Sequence, residues 1–181
     1  MQQKRLLEFK APNWKEWALT DGSCITNNRK GSQSVGAGVY HPQSNKIITV
    51  NPGGTSINKT IDRAKLAGIA AALINEYTHI ATDSAGALWQ IRNSIPYPQH
   101  MKGHTHAKLL ETIIHHIQLS KDTIHLYKVK AHAGILGNEC ADAIAKCSAE
   151  NQSGHDIHVN TEAHHQIRPP ETQAAVLSLN L

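Results

Sequence analysis

The alternation of apolar and polar positions along the 181 residues predicts short strands first, and then helices interleaved with strands. The segment 60–73, TIDRAKLAGIAAAL, carries the clearest helical period, with Leu66, Ile69, Ala70 and Leu73 on one face and Thr60 as N-cap. The predicted elements, in chain order, are strands at 16–24 (ending in the turn pair Asp-Gly), 34–42 and 45–51, a helix at 60–76, a strand at 77–83, helices at 84–95 and 106–119, a strand at 122–130, and a helix at 138–150. Ser84 is the expected N-cap of the helix at 84–95.

This order of elements predicts an α/β layered domain. Three successive strands joined by turn-rich segments favour an antiparallel meander, and the later alternation favours parallel strands with helices on the sheet faces. We expect a polar lead-in at 1–13, one folded domain at 14–150, and a flexible polar tail or linker at 151–181, where the apolar period is lost.

The charge distribution favours a polyanionic partner. Residues 1–150 hold 17 of the 18 Lys and Arg but 11 of the 14 Asp and Glu, so the predicted domain is basic. We expect no secretory signal and no membrane span, because the chain has no apolar h-region and no run of 18 apolar residues. Three sparse cysteines without C-x-x-C spacing predict reduced thiols in a cytoplasmic or nuclear protein.

Three aspartates are candidates for chemistry. Asp21 and Asp83 fall at the carboxyl ends of predicted strands, and Asp142 lies early in the last helix, after a glycine-containing loop. A single Asp at a strand end is usually a turn former or a helix cap. Several carboxylates brought to one edge of a sheet instead suit Mg²⁺ or Mn²⁺, because without a cation they repel each other.

Three motifs resemble the ribonuclease H family, in its type 1 and retroelement, reverse-transcriptase-associated branch. They are TDGS at 20–23, TDS at 82–84 and KVKAHAGILGNECADAIAK at 128–146, and the likeness covers about residues 14–150. The resemblance implies a ribonuclease H-like fold, with a five-stranded mixed sheet flanked by helices. It also implies endonucleolytic cleavage of the RNA strand of RNA–DNA hybrids with two Mg²⁺ or Mn²⁺ ions.

The resemblance also implies roles for individual residues. Asp21, Asp83 and Asp142 match the family's metal-binding carboxylates, and His132 matches the loop histidine that assists proton transfer or product release. The residues that we expect on the nucleic-acid face are Gly22, Ser23, Ser84, Trp89 and Asn138.

The chain departs from the family at the fourth metal ligand. Where relatives carry a pattern like N-R-A-E-L, residues 62–66 are D-R-A-K-L, so Lys65 replaces the metal-binding glutamate. We expect Lys65 to face Asp21 and Asp83, to weaken binding of both metal ions, and to impair or abolish catalysis. Two alternatives remain open: residual activity with one metal on the three aspartates, and a deliberate substitution rather than natural divergence of a mobile element.

A second function class is a catalytically inactive module that binds nucleic acid or a protein. A junction resolvase or an integrase is disfavoured, because the HAGILGNECAD loop at 132–142 does not match those nucleases. The expected partners are an RNA–DNA hybrid and other domains of a reverse transcriptase polyprotein. The isolated domain is expected to be a monomer without membrane attachment.

Overall fold

The computed structural model describes residues 13–27, 31–54, 58–96, 101–130, 135–151, 155–156 and 177–180. After a 3-10 turn at Trp14–Glu16, the elements are β1 (Ala18–Asn27), β2 (Ser32–His41), β3 (Lys46–Asn51), α1 (Ile61–Ile74), β4 (His79–Thr82), α2 (Ala85–Ser94), α3 (Ala107–Leu119), β5 (Ile124–Lys128), α4 (Leu136–Asn151), β6 (His155–Asp156) and β7 (Leu177–Asn180). The order predicted from the sequence for residues 16–150 is therefore confirmed, with boundaries that differ by up to three residues.

The five predicted strands form the centre of the sheet. Its strand order is β6-β3-β2-β1-β4-β5-β7, with β1, β2 and β3 antiparallel and β1, β4 and β5 parallel. This centre is the mixed five-stranded sheet of the predicted fold class.

Two short strands beyond residue 151 add to the sheet edges. The first, β6, pairs with β3, and β7 pairs with β5, both in parallel. The sequence pattern predicted neither strand, because pairing through backbone groups requires no apolar period. The division into a lead-in, a domain at 14–150 and a tail at 151–181 stays a prediction.

Both predicted side-chain caps are present. The Thr60 hydroxyl accepts a hydrogen bond from the backbone N–H of Arg63 at the start of α1, and Ser84 does the same for Ala87 in α2. None of the described helices is long and apolar enough to cross a bilayer.

Small residues bring α1 directly against β1. A Cβ built on Gly22 would lie 2.4 Å from the backbone of Ala64 and Lys65, and one on Gly68 would lie 3.1 Å from the Asp21 carbonyl oxygen. Ala72, in the same helical row, is fully buried. This close approach places the backbone of Lys65 beside the strand that carries Asp21.

The opposite face of the sheet receives α4. Cβ atoms on Gly36 and Gly38 would lie 2.2 Å from the Ala149 nitrogen and 2.7 Å from the Ile144 side chain. A Cβ on Gly137 would lie 2.7 Å from the Leu19 side chain, so the start of α4 packs against β1. These contacts hold the residues of the first turns of α4 near the middle of β1.

We predict that Gly36→Ala destabilises the fold by about 1–3 kcal/mol, because the new methyl group must displace the backbone of α4. Chemical denaturation at equilibrium measures the change. Gly86→Ala is the matched control: its Cβ would meet nothing closer than 3.9 Å, in a helix where alanine is favoured over glycine. A Gly36→Ala protein as stable as Gly86→Ala would contradict the packing described here.

Candidate active site

Asp21 and Asp83 lie side by side where the parallel pairing of β1 and β4 ends. The last paired residues are Thr20 and Thr82, and each aspartate directly follows its paired threonine. The sequence predicted that the first strand would end in a turn at Asp21 and Gly22, and this is wrong, because β1 continues to Asn27 in its pairing with β2. Asp21 therefore lies inside a strand, although it still occupies the edge of the parallel part of the sheet.

Lys65 contacts both aspartates, the arrangement that the resemblance implied. Its Nζ lies 2.7 Å from Asp83 Oδ1 and 3.5 Å from Asp21 Oδ1. The Lys65 side chain is 21% exposed, and those of Asp21 and Asp83 are 5% and 10% exposed. The three charges thus interact in a region that water screens only partly.

Burial and the neighbouring charges together set the pKa values of Asp21 and Lys65. Burial and the neighbouring charge of Asp83 raise the pKa of Asp21 to about 6, against the lowering effects of Lys65 and of the Gly22 N–H, which donates to Asp21 Oδ1 at 2.7 Å. Burial lowers the pKa of Lys65, but the hydrogen bond to Asp83 and the charges of both aspartates outweigh it, so the net shift is upward. Lys65 therefore stays charged at neutral pH.

Asp142 lies across the same cleft and has a lysine partner of its own. Lys146, one turn further along α4, places its Nζ 2.8 Å from Asp142 Oδ2, and this contact raises the pKa of Lys146. The pair is more exposed than the one at Lys65, with side chains 58% and 30% accessible. Such an i,i+4 pair is weaker than the buried one.

The cleft has a volume of about 330 Å³ and gathers most of the predicted site residues. It is lined by Asp21, Gly22, Ser23, Cys24, Ile61, Lys65, Asp83, Asn138, Glu139, Asp142 and Lys146. The sequence reasoning assigned no role to Cys24, Ile61, Glu139 or Lys146. The spacing of four residues between Asp142 and Lys146 was a signal that could have identified that pair.

The remaining predicted site residues have different surroundings. Asn138 is 5% exposed, and its Oδ1 has no hydrogen-bond partner in the part of the chain that the structure describes. Ser84 caps α2, whereas Trp89 on the same helix is 61% exposed and lies outside the lining of the cleft. His132 lies outside the described residues.

The side chains as arranged do not fit a divalent cation. Among the described residues, no group of three or more His, Cys, Asp and Glu side chains is placed to hold a metal ion. The cause is visible at Lys65, whose ammonium group occupies the space between Asp21 and Asp83, and at Lys146, which holds Asp142. The cleft is therefore an acidic site with two internal cations.

We predict that Lys65→Met destabilises the metal-free protein by about 1–3 kcal/mol, because it leaves Asp21 and Asp83 close together without a counter-charge. Urea denaturation at pH 7.5 in the presence of a chelator measures the loss. Lys108→Met is the matched control, since Lys108 is 41% exposed and lies 3.9 Å from Glu111, and its change should stay below about 0.5 kcal/mol. Equal losses in the two variants would contradict a stabilising role for the Lys65 pairs.

Comparison with solved structures shows the same architecture elsewhere. The chain is similar to a structure described as LC9-RNase H1, a type 1 RNase H with the type 2 active-site motif. The identity is 21%, the TM-score is 0.50, and the alignment covers 91% of this chain and 87% of that one, so the likeness shows the fold alone. No curated protein matches the chain in sequence.

The family comparison covers most of the described domain. The RNase H family model matches residues 15–150, a range that includes all three aspartates, Lys65 and the whole of the acidic cleft. The predicted resemblance is thus confirmed at the level of the family. This chain belongs to the RNase H family.

Proposed function

We propose that this chain is a ribonuclease H domain in which hydrolysis of the RNA strand of RNA–DNA hybrids is impaired by Lys65. RNase H proteins as a family are nucleases that act on such hybrids, and the chain shares their fold. The observation that carries the proposal is the double contact of Lys65 Nζ, 2.7 Å from Asp83 and 3.5 Å from Asp21.

Electrostatics explains the impairment. A lysine in place of a glutamate changes the local charge by two units and puts a fixed ammonium beside the carboxylates. At an effective dielectric constant of about 20, a divalent ion and an ammonium about 4 Å apart repel each other by about 8 kcal/mol. Moving Lys65 away would cost its hydrogen bond to Asp83 and leave its charge partly buried.

The other residues keep the roles that the resemblance implies, as part of this proposal. Asp21, Asp83 and Asp142 are the carboxylates that would hold Mg²⁺ or Mn²⁺ once Lys65 is replaced, with His132 as the auxiliary group. Gly22, Ser23, Ser84, Trp89 and Asn138 form the nucleic-acid face. The position of Asn138 in the lining of the cleft, beside the aspartates, supports its assignment to this face.

The proposal also states that the domain comes from a retrotransposon and works together with a partner domain. A domain with a weakened site would act beside other domains of a reverse transcriptase polyprotein that hold the hybrid.

We predict that Lys65→Glu increases cleavage of a labelled RNA–DNA hybrid by on the order of a hundredfold in Mg²⁺ or Mn²⁺. Substitution of a residue that only hydrogen-bonds to a metal ligand typically changes metal affinity or activity by about 10–100-fold, and here a ligand itself is restored. The measurement compares initial cleavage rates of the original chain and the variant at several metal concentrations.

Two controls make this comparison decisive. Lys65→Gln removes the ammonium without adding a ligand and should gain far less than Lys65→Glu. The double variant with Lys65→Glu and Asp83→Asn should lose the gain, because Asp83, another proposed metal ligand, is then replaced by a neutral side chain. Equal cleavage by the original chain and by Lys65→Glu would refute the proposed role of Lys65.

The second candidate function is an inactive module that binds nucleic acid or a protein. It is favoured by the ion pairs of Asp21, Asp83 and Asp142 with Lys65 and Lys146, which offset part of the carboxylate charge without a metal ion. Hybrid binding by such a module should be the same in Mg²⁺ and in a chelator. If neither the original chain nor Lys65→Glu cleaves the hybrid while both bind it, this candidate replaces the first.

A further inference from the structure

A larger cavity lies at the opposite end of the sheet from the acidic cleft. It has a volume of about 630 Å³ and is formed where α1 and α3 end and where β4 and β5 begin. Because Asp83 follows the far end of β4, the two depressions are separated by the length of the strands. We call the larger one the end groove, bounded by residues 73–78 of the α1 end and residues 116–124 of the α3 end.

The end groove has apolar side chains at its floor and two more at its rim. Leu73 and Ile124 are 5% and 2% exposed, whereas Ile74 and Leu119 on the rim are 40% and 58% exposed. The last two are among the few large apolar side chains exposed in the described chain. Apolar groups exposed around a concavity favour a binding surface.

Glu76, which lines the end groove, has an unfavourable backbone conformation. It has φ +65 and takes the position after the cap of α1 in a Schellman motif, where its N–H donates to the Leu73 carbonyl and the Tyr77 N–H donates to the Ala72 carbonyl. Glycine is the usual residue at this position, because a side chain is strained there. Glu76 is exposed and makes no ion pair with another described residue, so its carboxylate can pair with a cation of a ligand.

The charges around the end groove favour a cation. Glu76 and Asp122 line it, and the C-termini of α1 and α3 add partial negative charge, with no basic residue in the last turn of α1. Lys121 also lines it and offsets one of the two carboxylates, so the described lining residues keep one net negative charge with His116 neutral. A phosphate backbone would be repelled here, in contrast to the basic character of the chain as a whole.

We propose that the end groove is a docking site for a polypeptide segment of another protein or domain that presents a Lys or Arg beside bulky aliphatic side chains. The aliphatic groups pack between Ile74 and Leu119, and the cation pairs with Glu76 at the helix C-termini. This surface lies away from the acidic cleft, so the proposal does not depend on catalysis.

The test is a titration of the ¹⁵N-labelled chain with the peptide acetyl-Leu-Leu-Lys-Leu-Leu-amide, followed by NMR. We expect amide shifts confined to residues 73–78 and 116–124. A peptide with Glu in place of Lys should bind about fivefold more weakly, as expected for the loss of one partly exposed ion pair. Absence of shifts at millimolar peptide, or equal binding of the two peptides, would overturn the proposal.

Two variants at one position separate binding from folding. Glu76→Gly should weaken binding of the Lys peptide about fivefold and raise the melting temperature by about 2 °C, because glycine relieves the strain at φ +65. Glu76→Gln should weaken binding equally without the thermal gain. Glu150→Gln, an exposed change on α4, should alter neither property and serves as the matched control for net charge.

Two other ligands of the end groove, a second copy of the chain and a nucleic acid, would give different experimental results. A concentration-dependent dimer that Leu119→Ser abolishes would assign the end groove to a second copy of the chain and overturn the proposal. Shifts of the same amides on addition of a DNA duplex would assign it to nucleic acid and overturn it as well. Equal affinity of Glu76→Gly and of the original chain for the Lys peptide would also overturn the proposal.

Discussion

The contact of α1 with β1 is the constraint on which the site depends. Gly22 and Gly68 let the helix backbone touch the strand, so the residue at position 65 cannot avoid the carboxylates of Asp21 and Asp83. Under the proposed function, this position would take either a glutamate that completes a metal site or a lysine that replaces the metal's charge. The fold thus holds position 65 at the carboxylates, while the side chain found there decides what the site can do.

The ion pairs made by the two lysines of the cleft differ in strength. Lys65 is largely enclosed and contacts two aspartates, whereas Lys146 is mostly exposed and contacts one. Water and salt screen the second pair far more than the first, so under the proposed function Lys65 would be the main barrier to a divalent ion. The high pKa of Asp21 follows from the same enclosure, because its charge is buried beside that of Asp83.

The two ends of the sheet present opposite chemistry. One end holds carboxylates and lysines in a polar cleft, and the other holds aliphatic side chains between two helix C-termini. Parallel strands produce this division, since their carboxyl ends gather at one edge and the preceding helices end at the other. The two proposals thereby assign a nucleic acid and a protein segment to separate surfaces of one small domain.

The sequence by itself determined the element order, the caps at Thr60 and Ser84, and the family, because periodicity, capping chemistry and motif spacing are local properties. The predicted meeting of Lys65 with Asp21 and Asp83 also came from the sequence, through its resemblance to the family. Only the tertiary structure revealed the strands β6 and β7, the pairing of Asp142 with Lys146 inside the cleft, and the end groove. Backbone pairing leaves no side-chain pattern, and the strength of a charge pair depends on burial, which distant segments create. The end groove arises for the same reason, because two helices separated along the chain end side by side only after the sheet has formed.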